Sequence, residues 1–434
     1  MTTISQLTGL RDDIINNNTI PNEKFEDYDV KRGLRNKDGS GVLAGLTTVS
    51  SVVGAKHIDY HMEPVEGELN YRGIPIFDLV KDLEGKGFGF ERAVFLLLVG
   101  RLPEEEELSF IQTQMGQNRS IPTEVLENVI KGVPSKHIMN KLQTSVSALY
   151  AFDDNPDSID PFDNFEKAVS LIAKFPIIVA YSYLAAYVPD ATFVTPDPSL
   201  SQAEAFLTVL NQGQAPSELE INIVDLAMIL HAEHGGGNNS SFTTRVVSSS
   251  ATDIYSALAA AVGSLKGPLH GAANKKVMDM MADIKDNVSD WNNTDQINDY
   301  LTRLINKEAH DKSGKIYGLG HAVYTKSDPR AVVLKEYAER LAKEKNRLDE
   351  YNLYLTIESE GPRLFQEIKG SKKVISPNVD FFSGFVYDCL GIPQAIYTPI
   401  FAMARACGWS AHRMEELISG KRIIRPGYKW VADS

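Results

Sequence analysis

Apolar residues recur along most of the chain at the three- and four-residue spacing of amphipathic helices, and proline and glycine separate one such segment from the next. Strand-like patterns occur near the N-terminus, where β-branched residues and flanking glycines mark residues 47–53 and 67–73. The pattern predicts a mainly α, two-domain fold with a minor β region near the N-terminus and about twenty helices of ~11 residues. The helical segments before residue 270 cover residues 90–98, 104–115, 123–131, 138–152, 165–187, 201–210 and 255–265.

The longest apolar stretch, residues 168–188, is interrupted by Lys174 and Pro176 and contains polar tyrosines and serines. These features favour a buried helix over a membrane span. The N-terminal residues lack the basic and apolar regions of a secretory signal, and the acidic residues that follow disfavour a transit peptide. We therefore expect no membrane partner.

The formal net charge of −13 argues against nucleic acid as a partner, because phosphate backbones are held mainly by an excess of Lys and Arg. The basic residues are nevertheless unevenly placed. Residues 312–347 contain nine Lys or Arg and four acidic residues. Such a local excess in an acidic protein suggests small anionic ligands.

Two cysteines, Cys389 and Cys407, lie in apolar late segments without CxxC spacing, so we interpret them as core residues of a protein from a reducing compartment, the cytoplasm. His57 and His61 are four residues apart and could share a helix face around a metal ion. No third ligand lies near them in the sequence, so a polar surface segment is favoured and no metal site is predicted.

Asp380 stands between a proline-led loop and an apolar run in residues 377–384. A carboxylate that is partly desolvated is a stronger base than one in water, and this would suit proton abstraction. Considered alone, Asp380 is better explained as the N-cap of a helix, where it would accept hydrogen bonds from unpaired backbone N–H groups.

Three histidines follow glycine-containing or apolar patterns. His234 continues the helical spacing of an apolar stripe, which glycines 235–237 then end, so it faces the interior as a core residue or a ligand. His270 follows Gly267 and precedes another helical run. Its place near a helix N-terminus would lower its pKa and let it act as a neutral donor to a carbonyl that becomes an enolate. His321 follows a glycine turn at residues 318–320.

Three arginines lie in or beside apolar segments. Asp328 and Pro329 predict a helix start that places Arg330 at its second position. Arg405 shares a helical stripe with apolar neighbours, and Arg425 lies next to isoleucines. A buried guanidinium needs an anion, which an internal salt bridge or a substrate carboxylate would supply.

Taken together, these motifs closely resemble the citrate synthase family in order and interval. Residues 67–73 and 390–393 look like further landmarks of that family, so the resemblance spans roughly residues 40 to 430. The motifs that carry it are His234, residues 267–271 (Gly-Pro-Leu-His-Gly), residues 318–323 (Gly-Leu-Gly-His-Ala-Val), residues 328–330 (Asp-Pro-Arg), residues 377–381 (Pro-Asn-Val-Asp-Phe) and residues 408–409 (Gly-Trp).

The resemblance implies a nearly all-helical homodimer. Its large domain would comprise residues 1–271 and 392–434, and residues 272–391 would form a small, mobile acyl-CoA-binding domain. The family condenses acetyl-CoA with oxaloacetate and hydrolyses citryl-CoA, with acetyl-CoA as co-substrate and no prosthetic group. The alternatives are a 2-methylcitrate synthase that uses propionyl-CoA and, from another class, a catalytically silent protein that binds CoA or a dicarboxylate.

The resemblance also implies residue roles. Asp380 would take a proton from the acetyl-CoA methyl group, His270 would stabilise the enolate, and His321 would polarise the ketone of oxaloacetate. The residues implied to hold oxaloacetate are His234, Arg330, Arg405 and Arg425, the last from the partner subunit. The residues implied to contact CoA are Tyr317, Gly318, Leu319, Gly320, Lys326, Lys372 and Asn378.

Overall fold

The computed structural model describes residues 9–58, 61–83, 87–271, 273–370 and 374–431. The chain divides into two compact units, one formed by Met1–Leu46 with Arg425–Ser434 and the other by Thr47–Ile424. The first unit contains helices α1 (Leu10–Asn18) and α2 (Asn22–Asp27) and a 3-10 turn at Arg32–Leu34. The candidate site residues that the structure describes, except Arg425, belong to the second unit.

Helices build most of the second unit, which confirms the predicted mainly α class with a small β region. They are α3 (Ile76–Leu83), α4 (Gly89–Val99), α5 (Glu105–Gln117), α6 (Ile138–Leu149), α7 (Pro161–Tyr187), α8 (Gln202–Leu210), α9 (Glu218–His231), α10 (Asn239–Ser248), α11 (Ile254–Lys266), α12 (Ala273–Asn287), α13 (Thr294–Ile305), α14 (Pro329–Glu344), α15 (Leu348–Lys369), α16 (Val379–Cys389) and α17 (Tyr397–Glu415). Two short π-helical segments lie at Val125–Lys131 and Glu416–Gly420, and two 3-10 turns lie at Tyr150–Phe152 and Gln394–Ile396.

The sheet is antiparallel, with β1 (Ser50–Ile58) beside β2 (His61–Tyr71) and β2 beside β3 (Ile74–Pro75). The hairpin lies against the loop that follows His321. A Cβ atom added at Gly54 would lie 2.2 Å from the carbonyl oxygen of Val323, and one at Gly67 would lie 2.2 Å from that of Ser327. These glycines therefore allow the two backbones to approach more closely than any side chain would permit.

The core is built around α7 and α17. Along α17 every residue from 402 to 413 is buried. Helix α7 is long and apolar enough to cross a membrane, but 78% of its most apolar window is buried within the protein. The apolar run was predicted to be a buried helix, and it occupies the core as one.

Side-chain caps set the helix starts that matter for the site. Asp328 accepts the backbone N–H of Arg330 at 3.0 Å, and Pro329 is the first residue of α14, as predicted. Helix α16 begins after Asn378, whose side-chain oxygen accepts the backbone N–H of Asp380 at 3.0 Å. The interpretation of Asp380 as the N-cap was therefore wrong, because Asn378 already fills that position.

Helix α9 ends at His231, three residues before the predicted end at His234. The hydroxyl of Tyr71 lies 2.9 Å from the carbonyl oxygen of Ile229 and accepts the backbone N–H of Glu233 at 3.2 Å. This distant side chain satisfies backbone groups that another helical turn would have used. His234 consequently lies outside the helix, in the segment that follows it.

Other predictions concern residues far from this segment. Cys389 and Cys407 are buried free thiols, as expected of core residues. His57 and His61 belong to β1 and β2 rather than to a helix, and their side chains lie outside the described residues. The division into residues 1–271, 272–391 and 392–434 stays a prediction.

Candidate active site

His234, His321 and Tyr324 form a cluster of aromatic rings. The ring centroids of His234 and His321 are 5.2 Å apart, and the planes are nearly perpendicular. Tyr324 stacks on His321 at 4.8 Å and meets His234 edge-on at 5.4 Å. Two of the predicted site histidines, separated by 87 positions in the sequence, therefore share one small space.

The tautomer of His321 is fixed by the backbone. Its Nδ1 accepts the N–H groups of Val323 at 3.0 Å and Tyr324 at 3.1 Å, so the proton of the neutral ring is on Nε2. Burial and the positive charge of Arg330 lower the pKa of His321 to about 4. At neutral pH this residue is an uncharged donor.

His270 lies in the turn between α11 and α12. Burial, with a smaller contribution from Arg405, lowers its pKa to about 4. The predicted direction is thus confirmed, but burial is the main cause rather than the potential of a helix end. The Nε2 atom of His270 is 3.0 Å from Oγ of Ser240, which also receives the indole N–H of Trp409 at 3.1 Å.

Asp380 carries the basic carboxylate of the site. Burial raises its pKa to about 6, while Arg330 and Arg405 act in the opposite direction. Within residues 9–58, 61–83, 87–271, 273–370 and 374–431, no side chain or amide hydrogen-bonds this carboxylate, so it is available to a substrate. The desolvation inferred from its apolar neighbours is present.

Arg330 and Asp328 form a buried ion pair. The Nε and Nη2 atoms of Arg330 donate to the two carboxylate oxygens of Asp328 at 3.0 and 2.7 Å. Asp328 also accepts the backbone N–H of Val379, at the first position of α16, at 3.2 Å. One carboxylate thus joins the helix that carries Arg330 to the helix that carries Asp380.

Arg405 is a buried cation, 1% exposed, whose guanidinium lies 4.5 Å above the ring of Phe401. Its Nε donates to the carbonyl oxygen of His231 at 2.6 Å. Its Nη2 has no hydrogen-bond partner in the described part of the chain. Burial lowers its pKa to about 10, so it remains charged at neutral pH and has a donor free for an anion.

The electrostatic effects of the two arginines show that the predicted residues surround a common space. Arg405 acts on His234, His270 and Asp380, and Arg330 acts on His234 and Asp380 as well as on His321. The Coulomb interaction between two charges weakens with the distance between them, so the groups whose pKa values these arginines change lie near them. Six of the seven residues predicted for catalysis and oxaloacetate binding are therefore brought together.

The glycine turn at residues 318–320 is paired with the segment before α16. The N–H of Gly320 donates to the carbonyl oxygen of Ser376 at 2.7 Å, and the N–H of Asn378 donates to that of Gly318 at 2.8 Å. The side-chain amide of Asn378 donates to the carbonyl oxygen of Gly320 at 2.8 Å. Gly318 has a φ of +84°, and a Cβ there would lie 2.7 Å from the ring of Phe381. The turn therefore fixes His321 relative to Asp380.

Four other residues were predicted to contact CoA or oxaloacetate. Tyr317 is half-buried and donates to Asp311 at 2.5 Å, whereas Lys326 is exposed. Lys372 lies outside the described residues. Arg425 is exposed and belongs to the first unit, so its assignment stays a prediction.

The sequence analysis missed Glu233, a buried polar residue next to His234, one of the residues predicted to bind oxaloacetate. Glu233, fully buried, accepts hydrogen bonds from Ser50 and from Nε2 of His412, both at 2.8 Å. Burial opposes its ionisation, but His412 and Arg405 together hold its pKa at about 2. Its partners come from opposite ends of the chain, so no local pattern signalled it.

Comparison with known proteins agrees with this geometry. The family model described as "Citrate synthase, C-terminal domain" matches residues 38–427. A citrate synthase from Haloferax volcanii is 36% identical over 93% of this chain and 96% of its own, and a 2-methylcitrate synthase from Shewanella oneidensis is 34% identical over 84% and 89%. The solved citrate synthase of Thermoplasma acidophilum, in a ternary complex with carboxymethyl coenzyme A and oxaloacetate, superposes with a TM-score of 0.76 at 28% identity, covering 93% of this chain and 97% of that one. The chain belongs to the citrate synthase family.

Proposed function

We propose that this protein condenses acetyl-CoA with oxaloacetate and hydrolyses the resulting citryl-CoA to citrate and CoA. The observation that carries the proposal is the arrangement around Asp380. An unpaired carboxylate with a pKa of about 6 shares its surroundings with neutral histidines and two buried arginines. A weakly acidic carbon proton needs such a base together with a donor to the developing oxyanion.

The first step uses Asp380 and His270. Asp380 accepts a proton from the methyl group of acetyl-CoA, and His270 donates a hydrogen bond to the thioester oxygen as it becomes an enolate oxygen. Since Nε2 of His270 faces Ser240, the donor is Nδ1–H. This tautomer requires the Ser240 hydroxyl to donate to Nε2 rather than to Oδ1 of Asn238, which lies 3.0 Å from it.

The second step uses His321. Its Nε2–H donates to the ketone oxygen of oxaloacetate, which makes the ketone carbon more electrophilic. The enolate carbon forms the new C–C bond at that carbon, and His321 supplies the proton to the alkoxide that results. Water then cleaves the thioester and releases the CoA thiol.

Oxaloacetate is held by its two carboxylates. Arg330 and Arg405 each have guanidinium donors beyond those used by Asp328 and by the carbonyl of His231, and the unpartnered Nε2 of His234 adds another polar contact. Buried cations with unused donors are stabilised when a dianionic ligand binds.

The acyl-CoA contacts are proposed for Tyr317, residues 318–320, Asn378 and the lysines Lys326 and Lys372. Much of the hydrogen-bonding capacity of the turn is used by residues 376–378, which leaves it as a rigid surface for the CoA chain. The lysines would meet phosphate groups near the protein surface.

The direct test measures thiol release from acetyl-CoA or propionyl-CoA, with and without oxaloacetate. Oxaloacetate-dependent release that is faster from acetyl-CoA supports the proposal. A preference for propionyl-CoA would identify a 2-methylcitrate synthase, an alternative kept because a relative of that name is about as similar. No release from either thioester would leave a silent binding protein.

We further propose a cytoplasmic homodimer in which Arg425 of each subunit completes the site of the other. Mixing the inactive variants D380N and R425A under conditions of subunit exchange tests this. If Arg425 acts across the interface, each mixed dimer has one intact site, and activity returns to about one quarter of wild type. If it acts within its own subunit, no activity returns.

A further inference from the structure

Tyr324 has a buried hydroxyl without a partner. The residue is 2% exposed, and its phenolic oxygen makes no hydrogen bond to any residue that the structure describes. Burying a hydroxyl in this way is unfavourable, because it loses its hydrogen bonds to water. A phenylalanine would fill the same space without this loss.

The hydroxyl belongs to a side chain built into the candidate site. The Tyr324 ring stacks on His321, and its backbone N–H helps to fix the tautomer of that histidine. Arg330 and Asp328 are the charged groups that act most strongly on the phenol, after burial itself. A Cβ atom at Gly67 would lie 2.8 Å from Cδ1 of Tyr324 and 2.9 Å from Cδ of Pro329, so Tyr324 is close to the start of the helix that carries the arginine proposed to hold a substrate carboxylate.

The neighbouring protein acceptors are already used. Asp328 Oδ1 accepts both the backbone N–H and the Nε of Arg330, and Oδ2 accepts Nη2 of Arg330 and the N–H of Val379. The hydroxyl of Tyr71 is engaged with the end of α9. Neither of these groups is therefore free to accept a hydrogen bond from Tyr324, and no described residue does so.

Two other residues of the candidate site also have buried polar atoms without hydrogen-bond partners among the described residues. His234 Nε2 and Arg405 Nη2 are also buried without partners in the described part of the chain. Three such groups around one space point to a ligand that satisfies them together. A ligand with carboxylate oxygens would do so.

We infer that Tyr324 is a further substrate-binding residue, whose hydroxyl donates a hydrogen bond to the oxaloacetate carboxylate held by Arg330. The inference rests on the proposed function. Tyr324 would thereby contact the substrate with its hydroxyl while its ring supports His321, the residue proposed to act on the ketone.

The test is the substitution Y324F, which keeps the ring and removes the hydroxyl. Because a uniform binding contact affects KM rather than kcat, we expect the KM for oxaloacetate to rise about 10- to 100-fold while kcat changes little. The melting temperature of the ligand-free protein should be unchanged or higher, since an unsatisfied group has been removed. The rise in melting temperature on adding oxaloacetate should be smaller than in wild type.

Tyr397 offers a matched control. Its hydroxyl is likewise buried without a described partner, but its ring lies against Tyr387, 5.3 Å away, rather than against the histidines. Y397F should leave the KM for oxaloacetate unchanged. An unchanged KM and thermal shift in Y324F would overturn the inference, as would a loss of ligand-free stability without a change in KM. Failure of the wild-type protein to release thiol with oxaloacetate would instead count against the proposed function.

Discussion

The imidazole Nε2 of His270 lies 3.0 Å from the hydroxyl of Ser240. Ser240 is the second residue of α10. Its hydroxyl oxygen also accepts the indole N–H of Trp409. The serine has one proton to donate, and its possible acceptors are Nε2 of His270 and Oδ1 of Asn238, which is 3.0 Å away. When the serine donates to Nε2, the proton of the neutral ring is on Nδ1, the nitrogen proposed to face the substrate.

Replacing Ser240 with alanine should reduce kcat about 10- to 100-fold, because His270 would no longer be held as the Nδ1–H tautomer. Steady-state kinetics with both substrates would measure this. Ser410 is a matched control, since it is buried in α17 and its hydroxyl bonds only the helix carbonyl of Ala406 among described groups. Equal losses in S240A and S410A would contradict the tautomer argument.

Replacing Asp380 with asparagine should nearly abolish turnover and leave oxaloacetate binding in place. It should also stabilise the protein at pH 8, because a buried carboxylate whose pKa is raised from 3.8 to about 6 is unfavourable by about 1–3 kcal/mol when charged. Denaturant unfolding of both proteins would measure the difference. A normal turnover number in D380N would exclude Asp380 as the base.

The stability difference should depend on pH. The folded protein binds the Asp380 proton more tightly than the unfolded chain does, so the unfavourable contribution is absent well below pH 4 and complete above pH 6. Wild type and D380N should therefore differ less at pH 5 than at pH 8. A constant difference over this range would mean that the asparagine acts through packing rather than charge.

Activity should fall as the pH decreases through about 6, because Asp380 then becomes protonated. His270 and His321, with pKa values of about 4, stay neutral over the same range. The acid limb of kcat/KM for acetyl-CoA should consequently show the loss of one group. A limb of slope two, or one centred near pH 4, would assign the essential base elsewhere.

Replacing Arg405 with lysine should raise the KM for oxaloacetate about 10- to 100-fold, because lysine keeps the charge but loses the paired donors. Arg413, in the same helix, is also buried, but each of its three guanidinium nitrogens donates to a group of the protein itself. R413K should lower stability without changing this KM. A higher KM for oxaloacetate in R413K but not in R405K would refute the proposed role of Arg405.

Replacing Gly67 with alanine should lower stability by about 1–3 kcal/mol, because its Cβ would overlap the carbonyl oxygen of Ser327 at 2.2 Å. The backbone that must move lies between His321 and Arg330, so activity should fall as well. Thermal unfolding and kinetics would test both effects. Gly41, with open space around it, provides a control in G41A.

Local sequence patterns predicted most helices and the motifs of the site, since periodic apolar positions and caps are short-range signals. They did not predict the early end of α9, because Tyr71, which satisfies its last backbone groups, is about 160 positions away. Ser240, Tyr324 and Glu233 were missed for the same reason, as each contacts a histidine from another segment, namely His270, His234 and His412. The resemblance to a family supplied the roles that no single residue revealed.

The carboxylate of Asp328 holds the start of α14 and the start of α16 in one fixed relation. A change of substrate to another acyl-CoA would therefore not arise from moving Asp380 relative to Arg330. Altering Asp328 would disturb the positions of both residues. We expect changes in acyl-CoA preference to arise from side chains that contact the acyl group but not Asp328. A library that spares residues 328–330 and 378–380 should consequently yield more active variants with changed substrate preference than one that includes them.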